Sequence, residues 1–107
     1  MRMAMNATID KIKEVATRTL PKGSQLLLYG SQARGTARPD SDWDLLILLD
    51  KNHIEQSDYD DIVFPLTYLG WTLGKSFIPL IYTKRDWESR AFMPFNQNVE
   101  HDKIQIL

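Results

Sequence analysis

The stretch from Gly30 to Asp44, GSQARGTARPDSDWD, stands between two apolar runs, Leu26 to Tyr29 ahead of it and Leu45 to Leu49 behind it. A continuous apolar run is what a strand buried on both faces requires. The two runs therefore predict core strands with a small-residue turn and an acidic loop pinned between them. A glycine directly after a strand lets the backbone approach an anion closely, and a helix opening at Gly30-Ser31 would aim its free N–H groups at that anion. Asp42 and Asp44 are two residues apart at the start of the next strand, so both side chains leave one face, with Cα atoms roughly 7 Å apart. Phosphate at the turn and magnesium at the carboxylates suit this layout.

Hard oxygen ligands with some waters retained are what magnesium prefers, and short-spaced aspartates can bridge a pair of such ions across an in-line displacement at phosphorus. In this reading the Gly30 and Ser31 amides and the Ser31 hydroxyl hold the β- and γ-phosphates. Asp42 and Asp44 bring metal to the α-phosphate, and Arg34 neutralises phosphate charge by a bidentate contact. Together the parts describe nucleotidyl transfer with pyrophosphate leaving. Each part alone is unspecific: a Gly-Ser pair after a strand is commonly only a turn, Asp-x-Asp is commonly a cap or a solvated loop, and Arg34 and Arg38 are ordinary surface charges. Their order is what carries the reading. No Gly-Lys-Ser/Thr follows the glycine, so the stretch is not a P-loop.

At 107 residues the chain predicts one domain, 1–107, with a single hydrophobic core. A net charge of -1 with 25% charged residues argues against general nucleic-acid affinity. There is no cysteine, hence no disulfide framework and no zinc-thiolate site. The N-terminus lacks the apolar stretch of a signal peptide and the longest apolar run is too short for a membrane span, so a cytoplasmic protein is expected. Between Asp40 and Asp61 the acidic residues face only Lys51, an excess that attracts cations; for Glu55, Asp58 and Asp60 a solvated loop and helix face is expected.

In chain order, Met5 to Leu20 predicts an amphipathic helix with Asn6 or Thr8 as cap, stopped by Pro21 and Gly23. Gln25 to Tyr29 predicts a strand, Gly30 to Arg34 one helical turn before Gly35, Arg38 to Ser41 a loop, and Asp44 to Leu49 a second strand. Tyr59, Ile62, Val63, Leu66 and Leu69 form a helical stripe in which Pro65 predicts a kink or a start no earlier than Phe64. Ser76 to Tyr82 predicts a third strand, with Pro79 placing it at an edge. Thr83 and Asp86 predict a capping box opening a short helix with Trp87 and Ala91. Lys103 to Leu107 predicts a last strand or a docked coil. Exposed loop positions are expected for His53 and His101, packing under a helix for Trp43, and core or dimer contacts for Phe64, Tyr68, Trp71 and Phe77, which makes a homodimer one expectation. Core packing is favoured over an acceptor groove for Phe92, Met93 and Phe95.

The arrangement Gly30-Ser31, ten residues, Asp42-Trp43-Asp44, set in LLLYGSQARGTARPDSDWDLLIL, resembles the minimal nucleotidyltransferase domains of the DNA polymerase β superfamily. The resemblance is specific over Leu26 to Leu49 and looser elsewhere. It implies an α/β (α+β) fold, a small mixed sheet of three to four strands flanked by helices. It also implies Asp42 and Asp44 as catalytic metal ligands, nucleotide contacts at Gly30, Ser31, Arg34 and Ser41, and ATP or another nucleoside triphosphate with Mg2+, two ions in a fully active member. Members of this size are often antitoxins that adenylylate a HEPN-domain toxin usually encoded beside them. The sequence departs from the family's fully active members in one respect. Ser76 to Tyr82 carries no acidic residue to complete the metal cage; Pro79 lies about where one would be sought, and Asp61 or a water is the remaining source of that oxygen. Two readings follow: an enzyme transferring AMP to a hydroxyl of a protein acceptor, and a binding module of the same fold that neutralises its partner by contact.

Overall fold

Alternate residues of the two apolar runs enter different cores, and that alternation sets the layers of the molecule. The computed structural model describes residues 2–107. Helix α1 (Arg2–Thr19) leads into β1 (Gln25–Tyr29), the short α2 (Gly30–Arg34) and β2 (Trp43–Leu49). A helical run follows, made of α3 (Gln56–Asp58), a π-helical turn (Tyr59–Val63) and α4 (Phe64–Thr72). Strand β3 (Phe77–Thr83), helices α5 (Lys84–Ser89) and α6 (Pro94–Asp102), and β4 (Ile104–Gln105) complete the chain. The result is the expected α/β architecture, a four-stranded mixed sheet ordered β3-β2-β1-β4, with helices on both faces.

On one face Leu26, Leu28, Leu45, Ile47 and Leu49 meet Ile12, Val15 and Ala16 of α1, Ile62 of the π turn and Leu66 of α4. On the other, Leu27, Tyr29, Leu46 and Leu48 meet Trp87 of α5 and Val99 of α6. Burial on both faces is why neither strand shows polar alternation. Strands β1 and β2 are antiparallel, whereas β2 and β3 are parallel, so the chain must cross over between the latter two. The run from Gln56 to Thr72 makes that crossing. Pro79 sits in β3 at the sheet edge, as its missing N–H requires. The tail is a strand: β4 pairs antiparallel with β1, with Leu28 opposite Ile104.

Three expectations need correction. Helix α1 begins upstream of Met5, so Asn6 and Thr8 lie inside it rather than at its cap. Pro65 is the second residue of α4, which starts at Phe64 as one of the two expectations had it, although α3 and the π turn already carry the chain helically up to it. The turn ahead widens to a π turn, with the Phe64 N–H reaching back to the Tyr59 carbonyl, which accommodates the lost proline donor and its ring. Tyr59 belongs to the predicted stripe but is 47% exposed. Asp58 is not a solvated acid: it is buried, accepting from the Glu55 N–H at 2.8 Å and the Lys51 ammonium at 2.9 Å, and it forms a capping box with Glu55. Helix α6 had no sequence prediction, because its polar surface leaves only Asn96 and Val99 buried. Among the described residues no helix is long and apolar enough to cross a membrane.

Gly70 lies where α4 meets the sheet. A Cβ there would stand 2.9 Å from Phe77 Cγ and 3.0 Å from the Lys75 carbonyl oxygen. In an open helix Gly→Ala gains up to about 1 kcal/mol, but overpacking against ring and backbone costs about 1–3 kcal/mol. Gly70→Ala is therefore expected to lower stability by about 1 kcal/mol in urea unfolding, the reverse of the usual sign.

Candidate active site

The antiparallel register places Tyr29 opposite Asp44, so the residue that leaves β1 arrives at the start of β2. That residue is Gly30, with φ +76°, and a Cβ on it would collide with Asp44 Oδ2. Only glycine satisfies both the left-handed backbone and the lack of space. Helix α2 opens at once, and no side chain caps its first turn. The turn predicted to take phosphate and the predicted carboxylate of Asp44 thus lie side by side. Asp42 is exposed just ahead of β2, and Asp44 is partly buried on its first turns of pleat. Burial, then the negative charge of Asp42, push the Asp44 carboxyl above the usual carboxylate range, against an opposing pull from Arg34. Burial, then Asp44 and Tyr82, push the Tyr29 phenol up to about 12, so it stays a neutral donor beside the carboxylates.

Ser31 is half-buried in the first turn of α2, and its carbonyl accepts the N–H groups of Gly35 and Thr36. Arg34 ends the helix with its guanidinium Nη1 2.6 Å from Asp102 Oδ2, at the far end of α6. Ser41 is occupied locally: its hydroxyl accepts the Arg38 N–H at 2.8 Å, its own N–H donates to the Arg38 carbonyl at 3.0 Å, and Gln32 Nε2 donates to its carbonyl at 3.3 Å. These bonds hold the acidic loop against α2. Arg38 is exposed. Tyr29, Gln32 and Asp102 had no signal as site residues; Asp102 lies 68 positions from Arg34, beyond any local pattern.

Strand β3 runs beside β2 with Ile78 paired to Asp44 and Pro79 paired to Leu45. Paired residues of neighbouring strands share a face. The position beside the carboxylates is therefore Ile78, 40% exposed, and not Pro79, which lies on the Leu45 side. Asp61 sits in the π turn whose Ile62 enters the opposite core, so it does not replace the missing acid. Among the described residues no three His, Cys, Asp or Glu side chains gather closely enough to hold a metal. Asp42 and Asp44 nonetheless fit magnesium: both are hard oxygen donors, and the repulsion that lifts the Asp44 pKa is what a cation would relieve.

The remaining aromatic and histidine expectations divide. Trp43 is buried on the face away from the carboxylates, with its ring centroid 6.0 Å from that of Phe77. Phe77 is core, whereas Phe64, Tyr68 and Trp71 are 53%, 56% and 65% exposed, which corrects the core alternative for those three. Phe92, Met93 and Phe95 are also exposed, contrary to expectation; in α6 the inward positions are taken by Asn96 and Val99. The Phe95 ring still meets the Tyr29 ring edge-on at 5.8 Å. His53 is exposed, and His101 lies in the last turn of α6 rather than in a loop. A cavity of about 450 Å³ bordered by Leu48, Trp87 and Glu100 lies at the opposite end of β2 from Asp44 and shares none of the carboxylates.

Because folding raises the Asp44 pKa, the folded protein holds that proton more tightly than the unfolded chain. Stability therefore falls as pH rises from the ordinary carboxyl range through the folded value, and the penalty is fully present at neutral pH. Asp44→Asn is expected to raise the melting temperature at pH 7, with the gain shrinking toward zero below the unfolded carboxyl pKa. Thermal unfolding of both proteins across that range checks it.

The profile of the nucleotidyltransferase domain family matches residues 9–101. Among solved structures, a toxin-antitoxin crystallised with AMP-PNP is 19% identical, with a TM-score of 0.67 over 92% of this chain and 72% of that one. The MntA-HepT toxin-antitoxin is 16% identical, with a TM-score of 0.61 over 95% and 71%. An MNT antitoxin in complex with the tri-AMPylated HEPN toxin of Shewanella oneidensis is 16% identical, with a TM-score of 0.59 over 96% and 71%. At these identities the likeness is one of fold. No curated protein sequence matches the chain significantly. The matched profile spans most of the chain, from α1 through α6, and takes in the Gly30 turn and both aspartates: the chain belongs to the nucleotidyltransferase domain family, with the fold of the minimal nucleotidyltransferases.

Proposed function

We propose that the protein is a magnesium-dependent nucleotidyltransferase, acting as the single domain 1–107 in the cytoplasm, that moves AMP from ATP onto a hydroxyl of a HEPN-type protein partner. The observation that carries this reading is the contact of the Gly30 backbone with the Asp44 carboxylate, which sets an uncapped helix start against an acid able to take a cation. Asp42 and Asp44 would hold magnesium, which supplies Lewis-acid stabilisation of the α-phosphate. The need for a cation follows from charge: a triphosphate and two carboxylates repel one another, and Arg34 already has an acidic partner.

In this mechanism the amides at the start of α2 and the Ser31 hydroxyl bind the terminal phosphates. The acceptor oxygen bonds to the α-phosphorus as the bond to the bridging oxygen breaks, pyrophosphate leaves, and the hydroxyl proton passes to solvent. Tyr29, neutral at physiological pH, keeps a donor beside Asp44 without adding charge. The helices here are used to cover the sheet, and the acceptor hydroxyl is that of the HEPN-type partner. The AMP-PNP and AMPylated-toxin structures among the relatives support the nucleotide and the partner class.

One observation favours the second reading, a binding module: Ile78 stands beside Asp44 where an acid would complete the metal cage. Incubation with magnesium, labelled ATP and the HEPN protein encoded beside its gene separates the two. Label is expected on the partner. Metal assistance is worth several kcal/mol, so Asp42→Asn with Asp44→Asn should slow transfer about a thousandfold. Stable partner binding with no label from any of the four triphosphates would sink the enzyme and leave the binding module.

A further inference from the structure

Helix α6 and β4 are joined so that Asp102 is carried to the phosphate turn. Strand β4 pairs with β1 at Leu28 and Ile104, and α6 ends at Asp102 two residues ahead of that pair, which brings the end of α6 to the side of α2. The position is secured from the α6 side as well: Val99 is buried, Asn96 Nδ2 donates to the Trp87 carbonyl at 3.1 Å, and the Lys103 N–H closes on the Val99 carbonyl at 2.9 Å. The Asp102 side chain is 10% exposed and divides its oxygens, Oδ2 to Arg34 Nη1 at 2.6 Å and Oδ1 to His101 Nδ1 at 3.2 Å. Arg34 itself is half exposed and lies within electrostatic reach of Asp44.

An arginine at this place has two acidic destinations. A guanidinium released beside Asp42 and Asp44 is attracted to the pair of negative charges, and there it would occupy the oxygens that a cation needs. Held by Nη1 alone, it keeps other N–H donors of its planar fork free for a phosphate. We infer that Asp102 is a positioning residue that tethers Arg34 away from Asp42 and Asp44, so that one guanidinium serves the nucleotide phosphates without competing for the metal carboxylates. The inference rests on the reading of Arg34 as a phosphate ligand, and it adds a residue that no motif in the Gly30 to Asp44 stretch contains.

The test uses the full chain, with manganese as a magnetic probe of the magnesium site and with the Arg34 Nε–H resonance as a readout independent of nucleotide. In Asp102→Ala the Arg34 resonance should shift, and that shifted signal should respond to a further Asp44→Asn, to which the wild-type signal responds little. Manganese affinity should fall about tenfold, and the KM for ATP should rise with little change in kcat. In an Arg34→Ala background, Asp102→Ala should have no further effect on manganese affinity, which a merely structural role would not produce. Should Asp102→Ala loosen the α6–β4 junction, Asp102→Asn keeps the shape and removes the charge, and the same comparison applies. An Arg34 signal unmoved by either variant, or a manganese penalty that persists without Arg34, overturns the inference. A relocated Arg34 signal in a protein that binds no ATP with magnesium supports the tether and sinks the transferase reading instead.

Discussion

The backbone of Gly30 and the carboxylate of Asp44 occupy neighbouring space that no side chain at position 30 could share, and the antiparallel register of β1 and β2 holds them there. Much of the architecture serves that contact. Two carboxylates two residues apart repel each other, and one of them loses solvation in the fold. A site of this kind destabilises the empty protein, so its position must be imposed by groups that gain from burial. Leu26, Leu28, Leu45, Leu46 and Ile47 are fully buried in the paired strands, and each such side chain contributes about 1.5–3 kcal/mol. A few of them offset the electrostatic cost at the strand ends.

The division of β2 into two faces separates the larger core from the carboxylates. Trp43, between the two aspartates, points into the α1–α4 core, while Asp44 opens on the side covered farther along by α5 and α6. The two helical layers therefore have different tasks. The first seals one face and carries the crossover between the parallel strands. The second leaves the carboxylate end uncovered and returns the chain through β4, which sets Asp102 against Arg34. The likeness to toxin-antitoxin structures extends over both layers, as does the family profile.

Much of this was legible in the chain. Apolar runs without alternation announced strands covered on both sides, Pro79 announced an edge, and the Gly-Ser to Asp-x-Asp spacing announced a turn meeting a strand start. Such features act over a few residues or one strand pair, so sequence reports them directly. Other features were not legible. Phe64, Tyr68, Trp71, Phe92 and Phe95 are apolar, yet how far an aromatic ring is covered depends on which element lies over it, and each of these stays largely exposed. Helix α6 is polar except where Asn96 and Val99 touch the core, so its periodicity was too faint to detect. The π turn before Pro65 answers a local conflict in a way that hydrophobic pattern does not encode.

By itself the sequence determined that two buried strands bracket a glycine turn and a pair of acids, because burial demands apolar side chains and a left-handed, crowded position demands glycine. Only the tertiary structure decided what stands beside those acids. The parallel pairing with β3 brought Ile78 rather than Pro79 next to Asp44, and the pairing of β4 with β1 brought Asp102 to Arg34. Both neighbours are set by strand register, which depends on how distant segments pack, and no local spacing of residues records it.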